Sequence, residues 1–148
     1  QLLAGGHYVN VHTAANTGGE IRGQITPDNI EVYGIIANGL QEVPAVTTTA
    51  SGAGAFTLNT STGALSGSVT ITGMTANMAH IHEGETGVNG DVLIGLTAGT
   101  SGMWSVPANT TLTAEQMGVM ANGGLYTNFH SDAFPSGEIR GQITLGFD

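Results

Sequence analysis

Residues 5–26 read GGHYVNVHTAANTGGEIRGQIT and residues 123–144 read GGLYTNFHSDAFPSGEIRGQIT, an ungapped alignment in which Tyr8 recurs as Tyr126, an offset of 118 residues. Asn10, His12, Glu20, Arg22 and Gln24 recur as Asn128, His130, Glu138, Arg140 and Gln142. No other feature limits the fold as much, because one local structure has to suit both segments. The chain therefore divides into residues 1–28, the closing hairpin of one copy, and residues 30–148, a complete second copy. Thr26, Pro27, Asp28 and Asn29 form a turn-rich linker between them.

The second copy supplies the element types. In TLTAEQMGVMANGG, Thr113 is a helix N-cap, Gln116 completes its capping box, Leu112 and Met117 form a hydrophobic staple, and Gly123 or Gly124 ends the helix. The offset maps QLLAGG onto the end of this helix. The chain is thus expected to begin inside an element, as processing or a cut through a tandem array would leave it. Elsewhere apolar residues alternate at period two: Phe56 and Leu58; Leu65, Val69 and Ile71; Val92, Ile94 and Leu96; Leu125, Thr127 and Phe129; Ile139 and Ile143. With 24 glycines and only 9% charged residues, the composition suits short strands and tight turns. Strands at this spacing with one short helix predict an all-β Greek-key β-sandwich, with one face of each strand apolar and the other polar.

The formal net charge is −9, and Arg22 and Arg140 are the only basic residues apart from histidine. No basic cluster exists to displace counterions from a phosphate backbone, so nucleic acid is not an expected partner. Cations are, because an acidic surface attracts them. No apolar run approaches the ~20 residues of a membrane-spanning helix. No secretory leader is read, which leaves a mature secreted chain or a cytosolic one.

The chemistry centres on AHIHEGETGVNGDV. His80 and His82 are two apart on a strand, so their side chains share the face opposite Ala79 and Ile81. The same alternation groups Tyr126, Asn128 and His130. If the two strands adjoin, His80, His82 and His130 supply three nitrogen ligands and leave a fourth position to water, a carboxylate or a neighbouring chain. Imidazoles without thiolate favour Cu(II), Zn(II) or Ni(II), and the affinity order puts copper first, with zinc as the alternative. His12 repeats His130 in the first copy and is the fourth metal candidate. Glu138, Arg140 and Gln142 share a face and read as a cross-strand salt bridge or hydrogen-bond ladder rather than as catalysts. Glu83, Glu85, Asn89 and Asp91 offer oxygen ligands for calcium, but without the spacing of an EF-hand loop they read first as a plain loop.

ANGLQEVPAV, AHIHEGETGVNGDV and GGLYTNFHSDAFPSGEIRGQI, in that order, resemble the CHRD domain, a module first described in chordin and widespread in secreted bacterial proteins. The resemblance covers residues from about 33 to 145, and residues 5–25 repeat the family's terminal motif. It implies an extracellular immunoglobulin-like β-sandwich. Because some bacterial members are associated with copper, it also implies His80, His82 and His130 as ligands. The first copy lacks a His-x-His of its own in this chain, so His12 cannot complete an equivalent site alone; His7, matched by Leu125, is a lesser candidate.

The leading expectation is a non-enzymatic, secreted or cell-surface metal-binding repeat of a larger assembly. The alternative is a structural or adhesive repeat that forms filaments by β-strand addition through residues 5–26. A second alternative is a copper oxidoreductase of the superoxide dismutase type, which rests on architecture alone.

Overall fold

The structure is a computed structural model and describes residues 7–146. The expected helical turn at QLLAGG lies outside the described residues. Period-two alternation builds β1 (His7–Val11), β2 (Ile21–Ile25), β3 (Ile30–Asn38), β4 (Ser51–Asn59), β5 (Leu65–Thr72), β6 (Met78–Glu83), β7 (Val92–Gly95), β8 (Thr97–Ala98), β9 (Met103–Ser105), β10 (Leu125–His130) and β11 (Ile139–Leu145). The one α-helix among the described residues is α1 (Ala114–Ala121). Its capping box is present: the Gln116 backbone N–H donates to the Thr113 hydroxyl at 3.2 Å, and the Thr113 N–H donates to Gln116 Oε1 at 2.9 Å. Gly123, at φ +70°, closes the helix, with the Gly123 N–H donating to the Met120 carbonyl and the Gly124 N–H to the Val119 carbonyl.

Strands β3 to β11 form one antiparallel sheet in the order β7-β6-β10-β11-β3-β4-β5-β9-β8. The non-consecutive neighbours β6 with β10, β11 with β3 and β5 with β9 are Greek-key connections. The two ends of this sheet nearly meet. The segment from Val92 to Ala98 pairs with β6 through β7, donates from Leu96 to the Ala79 carbonyl, then pairs with β9 through β8. A single strand path thus passes from one edge to the other, and a nearly closed sandwich results. Tyr33, Ile35, Phe56, Leu58, Val69, Ile81, Leu125, Phe129, Ile139 and Ile143 fill the space between the two halves. Full burial of such side chains contributes about 1.5–3 kcal/mol each before chain entropy is counted.

Two expectations about faces need correction. Val92 is not a core residue: it is 56% exposed. The β6–β7 register shifts between Ile81 and His82, so Ile94 sits opposite Ile81 on the core side while Val92 sits opposite His82 on the outer side. Strand β10 is buried on both faces rather than one. The loop between β6 and β7 and the segment after β3 cover its Tyr126, Asn128 and His130 face, as the hydrogen bonds below show. Among the described residues, β1 and β2 pair only with each other, in a two-stranded sheet separate from the nine-stranded one.

Candidate metal centre

Strands β6 and β10 are neighbours, and their register decides the site. His82 lies opposite Tyr126, His80 opposite Asn128 and Met78 opposite His130, all on the outer face. The intervening Ala79, Ile81, Thr127 and Phe129 are buried on the core side. His80, His82 and His130 thereby come together, one ring nitrogen of each within 4.8 Å of the others.

Two of these rings are oriented by the backbone. His82 Nδ1 lies 3.0 Å from the Gly90 carbonyl oxygen, and His130 Nδ1 lies 3.0 Å from that of Pro135. A carbonyl only accepts, so each Nδ1 carries the ring proton and each Nε2 carries the lone pair. His130 Nε2 is 3.1 Å from His80 Nδ1, which therefore donates to it and leaves the His80 Nε2 lone pair available as well. His82 Nε2 is buried and has no hydrogen-bond partner. Burial is the first cause that holds His82 and His130 below the ordinary histidine range, and the neighbouring His80 adds to it. The His82 Nε2 lone pair is free and that of His130 accepts only from His80. Three imidazoles gathered this closely fit a borderline divalent metal that replaces that one hydrogen bond, and the carbonyl-fixed rings of His82 and His130 have the support that such ligands need.

The surroundings hold the rings in place. The Tyr126 ring stacks on His82 with centroids 4.9 Å apart, and the Arg140 guanidinium lies 3.5 Å over the same Tyr126 ring. Arg140 is 1% exposed and donates to the carbonyls of Glu85 and Val88 at 2.8 and 3.0 Å. It thereby clamps the loop from Gly84 to Asp91 that carries the Gly90 acceptor. The Gly90 N–H donates to the Tyr126 hydroxyl at 3.2 Å, and Asn89 donates to the Val43 carbonyl. Asn128 donates to both carboxylate oxygens of Glu42, at 2.9 and 3.0 Å. Burial raises the Glu42 carboxyl to about 7, against the opposing pull of Arg140 and Asn128.

The remaining sequence candidates lie elsewhere. His12 is exposed beyond the end of β1, its Nδ1 2.8 Å from the Thr17 carbonyl, and is not part of the three-histidine group. His7 is exposed at the start of β1. Among the described residues Glu83, Glu85 and Asp91 form no convergent ligand group, and Asn89 is occupied by Val43 and Arg140. The Glu138–Arg140 salt bridge is replaced by separate networks: Glu138 accepts from Thr48 and Ser131 at 2.7 and 2.5 Å, whereas Arg140 turns to loop carbonyls and to Gln142. Sequence reasoning missed Glu42 and the Gly90 and Pro135 carbonyls. Tyr126 was within reach, because it recurs as Tyr8 in the duplicated pattern.

The CHRD domain family model matches residues 1–25 and 33–143, most of the chain. No curated protein and no solved structure compared with the chain matches it.

Proposed function

The chain belongs to the CHRD domain family, and on that premise we propose that it is an extracellular metal-binding module whose ion is copper, held by His80, His82 and His130. The observation that carries this reading is the buried, unpartnered Nε2 of His82, a ring grouped with two further imidazoles. Leaving a buried polar atom without a partner costs about 1–3 kcal/mol, a penalty that coordination removes. Copper(II) is preferred over zinc by its place in the affinity order. Bound there, the ion supplies an electrophilic centre with an open position, since three protein ligands leave room for a fourth. The chain's role is to keep the ring lone pairs aimed and deprotonated. We assign no catalysis to it.

Equilibrium dialysis followed by elemental analysis tests the reading. The wild-type chain should retain about one copper per chain, as a single three-ligand site requires, and the double variant His80→Ala, His82→Ala should retain none. Equal retention by the two proteins would overturn it. A superoxide dismutation assay on the copper-loaded chain, expected to show no rate above free copper, separates the binding module from the oxidoreductase alternative. The adhesive alternative draws support from a different observation, the exposed apolar residues of β1 and β2.

A further inference from the structure

The β1–β2 hairpin reproduces β10–β11 down to its hydrogen bonds but, among the described residues, without the neighbouring strands that bury β10–β11. Its register, Tyr8 with Gln24 and Asn10 with Arg22, is that of Tyr126 with Gln142 and Asn128 with Arg140. Arg22 lies 3.6 Å over the Tyr8 ring, as Arg140 lies 3.5 Å over Tyr126. Thr13 donates to Glu20 as Ser131 donates to Glu138. Gly19, at φ +119°, closes against Asn10 as Gly137, at φ +133°, closes against Asn128, and a side chain at either position would collide with that asparagine. His12 Nδ1 bonds the Thr17 carbonyl as His130 Nδ1 bonds that of Pro135, so the tautomer that leaves Nε2 free is built into the hairpin itself.

What differs is burial. Val9 and Ile21 are 56% and 66% exposed, whereas Ile139, the counterpart of Ile21, is fully buried. A two-stranded hairpin is marginal by itself in water, and its paired apolar face and open edges call for covering strands. The occupants can be read from the second copy: β6 on the β10 edge and β3 on the β11 edge. The side chains of Asn10 and Arg22 match in place those that meet the Glu42 carboxylate and the carbonyls of the loop from Gly84 to Asp91.

We propose that β1–β2 is the closing hairpin of a second CHRD-type core, one that has β3-like and β6-like strands and an open slot between them. His12 Nε2 then joins the His-x-His pair of that core as the third ligand of a second copper centre. The metal half of this inference rests on the function proposed above; the docking half rests on the hairpin alone.

The test extends the intact chain by a copy of its own core, residues 30–118 placed directly before residue 1, the junction that the 118-residue offset dictates. Two readouts are taken, copper per chain and amide hydrogen exchange at Val9, Val11 and Ile21. Copper per chain should rise about twofold over the unextended protein, one equivalent for each three-histidine set. Exchange at the three amides should slow by about tenfold or more as the hairpin is covered. In the extended chain His12→Ala should remove the added copper and leave the amides protected, and Ile21→Asp should abolish both the added copper and the protection. Amides that stay unprotected would overturn the docking, and copper unchanged by the extension of a chain that itself binds copper would overturn the second centre. If the unextended chain takes up no copper at all, the metal reading fails by itself, and amide exchange alone decides the docking.

Discussion

At the scale of single residues, the candidate site depends on two carbonyl oxygens. Gly90 and Pro135 take the Nδ1 protons of His82 and His130, which leaves both Nε2 lone pairs as acceptors, that of His130 turned to His80 and that of His82 buried without a partner. Because burial lowers the proton affinity of both rings, copper should be retained through the ordinary histidine range near ~6.5 and be released only at more acid pH, a profile that dialysis across pH reads directly. Glu42 has the opposite sign. Its folded value, about 7, lies above its unfolded value, so the stability it contributes is complete at pH below the usual carboxylate range and is lost as pH rises through 7. Glu42→Gln should remove that dependence. Denaturant titrations at pH 5 and pH 8 should differ by about 1–2 kcal/mol less in the variant than in wild type, after allowance for solvent screening. His80 and His82 were legible from spacing alone, since alternation fixes a shared face. Glu42 was not, because its partner Asn128 is 86 residues away in sequence.

At the scale of elements, helix α1 and the loop from Gly84 to Asp91 show what local chemistry does and does not specify. The cap of α1 is written in consecutive residues, so Thr113→Ala should cost about 1 kcal/mol in a denaturant titration, whatever happens at the histidines. The loop looks like plain turn sequence, and its acidic residues drew attention to calcium. Its order comes instead from Arg140, which reaches across from β11 to the Glu85 and Val88 carbonyls while stacking on Tyr126. Arg140→Lys should destabilise the chain by about 2–3 kcal/mol, because a lysine cannot reproduce the planar, multiply donating contact. Copper affinity should fall in the same variant, as Gly90 loses its fixed position. Retained affinity in a folded Arg140→Lys chain would show that the loop does not orient His82. The exposed Val92 belongs at this scale too: period two predicts a core residue, and a one-residue bulge against β6 reverses it.

At the scale of the whole molecule, the nine-stranded sheet closes through the segment Val92–Ala98, and the first hairpin takes no part in that closure. Removal of residues 1–28 should therefore leave the thermal midpoint of the sandwich unchanged within about 2 °C, as expected where no core burial is lost. It should also reduce self-association measured by sedimentation, because the exposed Val9, Val11 and Ile21 go with it. Filaments that persist without those residues would count against strand addition through them. The sequence by itself determined the duplication, the core-facing side of the strands other than β7, the capped helix and the shared face of His80 and His82, since each follows from spacing within one segment or from recurrence of a pattern. Only the tertiary structure decided that β6 and β10 are neighbours, that the outer face of β10 is covered and that Arg140 serves a loop rather than Glu138. Those outcomes depend on contacts between segments distant in the chain, and local alternation carries no information about which strand lies beside which.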